Sequence, residues 1–128
     1  MKAIIFPGQG SQKAGMASEF ESNFKVVKDI FERVDEVLKF SLSKIILSGS
    51  DDDLVKTEIT QPAILTTSFA IFSVLKQEFN FDLSKIKFIA GHSLGEYSAL
   101  VASGSLSLEN AVTSVSYTHL TLPTTPYV

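Results

Sequence analysis

Ile86-Lys87-Phe88-Ile89-Ala90-Gly91-His92-Ser93-Leu94-Gly95 decides the fold. Its first five residues are a short, mostly apolar run rich in β-forming side chains, which reads as a strand. The run passes straight into the pattern G-x-S-x-G, and Glu96 to Ala102 then reads as a helix that stops near Gly104. A serine placed between a strand and a helix sits on a sharp, strained turn, so that its hydroxyl projects from the end of the sheet. Gly91 and Gly95 leave room for that turn. The helix behind the serine presents amide N–H groups and the positive end of its dipole. Ser93 is therefore the candidate nucleophile. His92 adjoins it in sequence, but a neighbour on a tight corner points elsewhere. It reads as a packed or hydrogen-bonded histidine beside the pocket rather than as the base.

Working outward, Ala3-Ile4-Ile5-Phe6 is a second short apolar run, closed by Pro7-Gly8-Gln9-Gly10. It reads as a buried strand followed by a tight loop whose glycines let the backbone present its N–H groups. A dinucleotide fingerprint fails here, because the third glycine would fall on Lys13. Gly10 and Gly15 have phosphate-loop spacing, but Met16 stands where the lysine is needed. What remains is a loop at the strand end where ligands gather in α/β folds, with N–H groups able to face Ser93.

Between the strands the pattern is helical. Phe20, Phe24, Val27, Phe31, Val34 and Leu38 recur at spacings of four and three, predicting one amphipathic helix with Ser18 as its N-cap. Ser50-Asp51-Asp52-Asp53 reads as a second helix start, its carboxylates near the positive dipole end, and not as a metal site. Thr60-Gln61-Pro62 opens a third helix, with Pro62 at its first position and Gln61 as a possible N-cap. No charge occurs between Glu58 and Lys76. That stretch is long enough to invite comparison with a membrane span, but Pro62, Thr66, Thr67, Ser68 and Ser73 interrupt it, so a buried core helix is expected. Ser107 caps a last helix. Strands alternating with helices predict an α/β fold with a mainly parallel sheet.

Composition bounds the rest. The 128 residues carry a formal net charge of −3, with 45% hydrophobic and 20% charged residues, the mix of a globular protein. Lysine and arginine form no basic run, so no nucleic-acid partner is expected. The chain has no cysteine, which removes disulfide scaffolds, thiolate metal sites and cysteine nucleophiles. The apolar run Ala3 to Phe6 before Pro7 is four residues long, too short for a secretory segment. A cytoplasmic setting, no membrane partner, no metal and no cofactor are expected.

Three segments, taken together, carry a resemblance. They are Phe6-Pro7-Gly8-Gln9-Gly10-Ser11-Gln12, Thr60-Gln61-Pro62-Ala63, and Gly91-His92-Ser93-Leu94-Gly95-Glu96-Tyr97-Ser98-Ala99-Leu100. In order and spacing they resemble the motifs of malonyl-CoA:acyl-carrier-protein transacylases, over about residues 1–112. The likeness extends to the acyltransferase domains of fatty-acid and polyketide synthases. It implies an α/β-hydrolase-like large subdomain, of which residues 1–112 are the N-terminal part, with the ferredoxin-like small subdomain missing. It also implies ping-pong transfer of malonyl from coenzyme A, through an acyl-Ser93 ester, to the phosphopantetheine thiol of acyl carrier protein, in fatty acid biosynthesis. Malonyl-CoA and acyl carrier protein are the implied partners. The backbone N–H groups of Gln9 and Leu94 match the family's oxyanion hole, and Gln61 matches a position lining the pocket.

The family's base is a histidine far downstream, and an arginine about two turns beyond Ala111-Val112 pairs with the malonyl carboxylate. Here Thr118 stands near the arginine position, and the only other histidine, His119, matches neither. Residues 113–128 contain no Lys, Arg, Asp or Glu, and no helical period is read in them. From Ser116 on they look like translated adaptor read-through, so this tail is expected to be non-native and the chain an inactive fragment. Two other readings use the same elbow: a serine hydrolase such as a thioesterase or esterase, and a non-catalytic module that binds carrier protein.

Overall fold

A computed structural model describes residues 2–121 as backbone and residues 2–116 with their side chains. Strand β1 (Lys2–Phe6) leads into the helices α1 (Ser18–Asn23), α2 (Lys25–Leu38), α3 (Leu42–Ser48), α4 (Asp51–Leu54) and α5 (Thr57–Glu78). A 3-10 turn (Leu83–Lys85) then delivers the chain to β2 (Ile86–Gly91), followed by α6 (Gly95–Ala102) and α7 (Leu108–Thr121). The two strands pair in parallel, with Ala3 opposite Phe88, Ile4 opposite Ile89, Ile5 opposite Ala90 and Phe6 opposite Gly91. This is the α/β arrangement with a parallel sheet that the alternation of elements predicts. Parallel pairing brings both strand ends, Phe6 and Gly91, to one edge, and the loops that follow them meet there.

The core is mostly helical. Val27, Ile30, Phe31 and Val34 of α2 bury one face against α5 and α7. Helix α5 is apolar on most sides and buries Ile59, Ala63, Ile64, Leu65, Ala70, Phe72 and Val74. It passes the length and composition test for a membrane span, yet most of it lies inside the fold, as the interrupting hydroxyl residues suggested. Full burial of each Leu, Ile or Phe contributes about 1.5–3 kcal/mol, so α5 is the main organiser of the domain. A smaller cluster joins the sheet to it: Phe6, Phe72 and Ala99, with Ile4 and Ile89 against them. The rings of Phe6 and Phe72 meet edge to face at 6.0 Å.

Several local expectations are corrected. The amphipathic helix over Phe20–Leu38 is two helices, because Phe24 is extended (φ −130°, ψ 118°). The break leaves the spacing intact, since Phe24 still packs near Phe20 and against Phe79, at ring distances of 6.2 and 6.0 Å. Ser18 is the first helical residue rather than the cap, and its hydroxyl donates to Gly15 O at 2.6 Å. Helix α5 starts at Thr57, after Lys56, so Pro62 sits inside it and Gln61 is not its cap. The carbonyl that Pro62 leaves without an amide partner belongs to Glu58, an exposed residue. Thr60 turns its hydroxyl back to Lys56 O (3.0 Å) and to Leu54 O. Ser50 caps α4 as expected, in a reciprocal pair with Asp53. Helix α7 crosses residue 112 without interruption. Leu108, Ala111, Val112 and Val115 extend one buried stripe, a helical period that the loss of charge after Asn110 disguises.

Candidate active site

Ser93 stands at the corner between β2 and α6 with φ 55°, in the left-handed region. A non-glycine residue there costs about 1–2 kcal/mol, strain of the kind a nucleophile elbow stores. The residue is exposed, whereas Leu94 and Gly95 behind it are buried. A Cβ on Gly91 would overlap the Gly95 carbonyl, so this tight return of the chain requires glycine. Helix α6 closes its first turn through Gly95 N–H to His92 O (2.9 Å), Glu96 N–H to Ser93 O (3.0 Å) and Tyr97 N–H to Leu94 O (2.9 Å). The amide of Leu94 takes no part in these bonds.

The loop after β1 lies directly against the elbow. His92 N–H donates to Phe6 O at 3.1 Å, extending the parallel ladder by one bond beyond Gly91. A Cβ on Gly8 would overlap His92 O and come within 3.4 Å of the ring Nδ1, so only glycine allows this approach. Gln9 follows, exposed, with its own amide making no hydrogen bond among the described residues. The loop holds its shape through Ser11 Oγ donating to Gly8 O (2.8 Å) and Gly10 N–H donating to Gln12 Oε1 (2.8 Å). Its far end is anchored by Ala14 N–H to Asp51 Oδ1 (2.8 Å) and Gly15 N–H to Ile46 O (3.1 Å).

Gln61, half-buried on α5, reaches this loop: its Nε2 donates to Gln9 Oε1 at 3.4 Å. Gln9, Gln61, His92, Ser93 and Leu94 thus belong to one cluster at the shared strand edge. The His92 ring is exposed and makes no hydrogen bond among the described residues, contrary to the packed or bonded histidine expected. The side chains of Thr118 and His119 lie outside the described residues. Sequence reasoning missed Asp51, read only as part of a helix start, which fastens the loop from the other side. The signal was an acidic triplet with more carboxylates than one cap uses: Asp53 serves the cap, leaving Asp51 for the loop.

Chemically, an exposed hydroxyl at the start of a helix, on a corner with the Gly8 loop seated against it, suits attack on a carbonyl whose oxygen becomes negative. Among the described residues no imidazole or carboxylate is hydrogen-bonded to Ser93.

Comparison with known proteins bears on this geometry. The profile of the acyl transferase domain family matches residues 3–126. A malonyl CoA-acyl carrier protein transacylase of Bacillus subtilis is 46% identical over 115 residues, which are 88% of this chain and 34% of that protein. The crystal structure of an acyl carrier protein S-malonyltransferase from Vibrio cholerae superposes with a TM-score of 0.87 at 39% identity, covering 97% of this chain and 40% of that one. A malonyl-transacylase solved in complex with a type II PKS acyl-carrier protein superposes at 0.83, with 39% identity, covering 90% of this chain and 36% of that one. The chain thus spans little more than a third of the length of the relatives it matches. It belongs to the acyl transferase family, on its malonyl CoA-acyl carrier protein transacylase branch, and corresponds to the N-terminal part of those proteins.

Proposed function

We propose that this chain supplies the nucleophile and oxyanion hole of a malonyl-CoA:acyl-carrier-protein transacylase of fatty acid biosynthesis. Ser93 Oγ attacks the thioester carbonyl of malonyl-CoA. The carbonyl electron pair moves onto oxygen, where the N–H groups of Gln9 and Leu94 receive it. Collapse expels coenzyme A as its thiolate and leaves malonyl-Ser93. The phosphopantetheine thiol of acyl carrier protein then attacks the ester carbonyl, forming the malonyl thioester; the C–O bond to Ser93 breaks, and the thiol proton passes through the base to the departing serine oxygen. The serine proton needs a base, which the family resemblance assigns to a histidine beyond this chain. The same resemblance assigns the malonyl carboxylate to an arginine near the position that Thr118 holds. His92 and Gln61 line the pocket.

The observation that carries this reading is the exposed, left-handed Ser93 at a strand-to-helix corner with the Gln9 loop seated against it. Loss of a triad-type base can cost on the order of 10⁶ in rate. The isolated chain is therefore inactive in turnover; residues 113–128 are read as a non-native tail on their composition, against which stand the family match to residue 126 and the buried Val115 of α7. Sequencing the genomic locus tests the tail: an intact frame encoding it refutes that part. The activity is tested in the full-length protein that carries this segment. Incubation with malonyl-CoA yields a malonyl adduct on the Ser93 peptide by mass spectrometry, and Ser93→Ala abolishes both adduct and transfer to carrier protein. Rapid loss of the acyl group to water in the presence of carrier protein would instead favour a hydrolase.

A further inference from the structure

Gln61 has a place in the site that pocket lining does not describe. It lies on the second turn of α5, where its neighbours Thr60, Pro62 and Ala63 are all buried. Its backbone is therefore embedded in the core helix, while its amide points out to Gln9. Among the described residues, no other hydrogen bond ties residues 8–12 to the rest of the fold. Ser11 and Gln12 fix only the internal shape of the loop. The Gly8 approach to His92 sets its depth against the elbow. A donor aimed at a developing oxyanion acts only if held within about 0.5 Å of its productive position.

We propose that Gln61 is a positioning residue, whose side-chain amide holds the Gln9 loop so that the Gln9 N–H converges with that of Leu94 on the carbonyl oxygen at Ser93. The inference rests on the transacylase reading. It differs from a pocket role in linkage, since Gln61 then acts through the side chain of Gln9 and not through substrate. The Gln9 side chain is the handle by which the loop is held, and its backbone N–H is the working group.

The test is a double-mutant cycle in the full-length protein carrying this segment. Gln61→Ala, Gln61→Met and Gln9→Ala each lower kcat for malonyl transfer by about fivefold, the worth of one neutral hydrogen bond. KM for malonyl-CoA stays within about twofold. Gln61→Met keeps the volume of the side chain, so lost packing does not account for its effect. The Gln9→Ala/Gln61→Ala pair is no slower than either single variant, because the two residues act as one unit. Multiplicative losses in the pair, a loss confined to KM, or a Gln61→Met variant as fast as the parent would overturn the proposal. Ser93→Ala is run alongside: full transfer activity in that variant breaks the underlying transacylase reading, a result distinct from failure of the cycle.

Discussion

The two faces of the small sheet are built from the same kinds of residue and meet opposite fates. Ile4, Phe6 and Ile89 turn toward α5 and α6 and pack with Phe72 and Ala99. Ala3, Ile5, Phe88 and Ala90, paired across the same register, turn the other way. Ile5 is 74% exposed and Phe88 56%. Side-chain chemistry does not separate the faces; the presence of a covering layer does. In layered α/β folds a parallel sheet is sheltered on both sides, and the described residues provide shelter on one. Both outer edges of the pair also lie without a partner strand among the described residues, the template for unwanted association that other proteins blunt with charge.

That contrast can be pressed from both sides. The largest effect belongs to the sheltered face. Phe72→Ala empties the space between the sheet and α5 and costs about 3–5 kcal/mol, read as a lower urea midpoint with unchanged slope; a cost below about 1 kcal/mol would mean the two clusters are not joined through this ring. A smaller effect belongs to the helical side. Arg33 Nε and Nη2 grip the Glu109 carboxylate at 3.0 and 2.9 Å, tying α2 to α7. The hydrogen bond from Arg33, outweighing partial burial, holds that carboxyl below its ordinary range. Its contribution is therefore complete above the ordinary glutamate range and is lost as pH falls through the lowered value. Both partners are partly exposed, so Glu109→Gln costs about 0.2–1 kcal/mol at neutral pH, and the difference from the parent closes on acidification. The smallest effect on stability belongs to the open face. Ile5→Lys and Phe88→Lys each shift unfolding by less than about 0.5 kcal/mol, yet they reduce self-association of the isolated chain in sedimentation. Equal association in parent and variants would show that this face is not what makes the chain sticky.

What the sequence disclosed and what it hid follow one physical line. The elbow was legible because its determinants are local: an apolar run, two glycines around a serine, and a helix start. The parallel pairing followed from the alternation of elements. Hidden were features whose causes lie elsewhere in the fold. Helix α3 has no side-chain cap of its own at Ser41; Asp35, back on α2, accepts from Ser43 N–H at 2.9 Å instead. At the break, Phe24 packs its ring on that of Phe79, far along the chain. Helix α5 extends back past Pro62 because the one carbonyl Pro62 leaves without an amide, that of Glu58, lies on an exposed residue. At the site, Gln9, Gln61, His92, Ser93 and Leu94 were singled out from motif and resemblance, but the Asp51 anchor and the hydrogen bond between Gln9 and Gln61 join segments whose meeting only the fold defines.

The strand register has a consequence in time. Ala3 waits for Phe88 as its neighbour, with the first five helices strung between them. Closing so long a loop is entropically costly until the intervening helices have condensed. During synthesis at about 5–20 residues per second, β1 therefore leaves the ribosome several seconds before the strand it pairs with. The corner at Ser93 cannot take shape before β2 has emerged, and its pairing with β1 follows the condensation of the helices between the two strands.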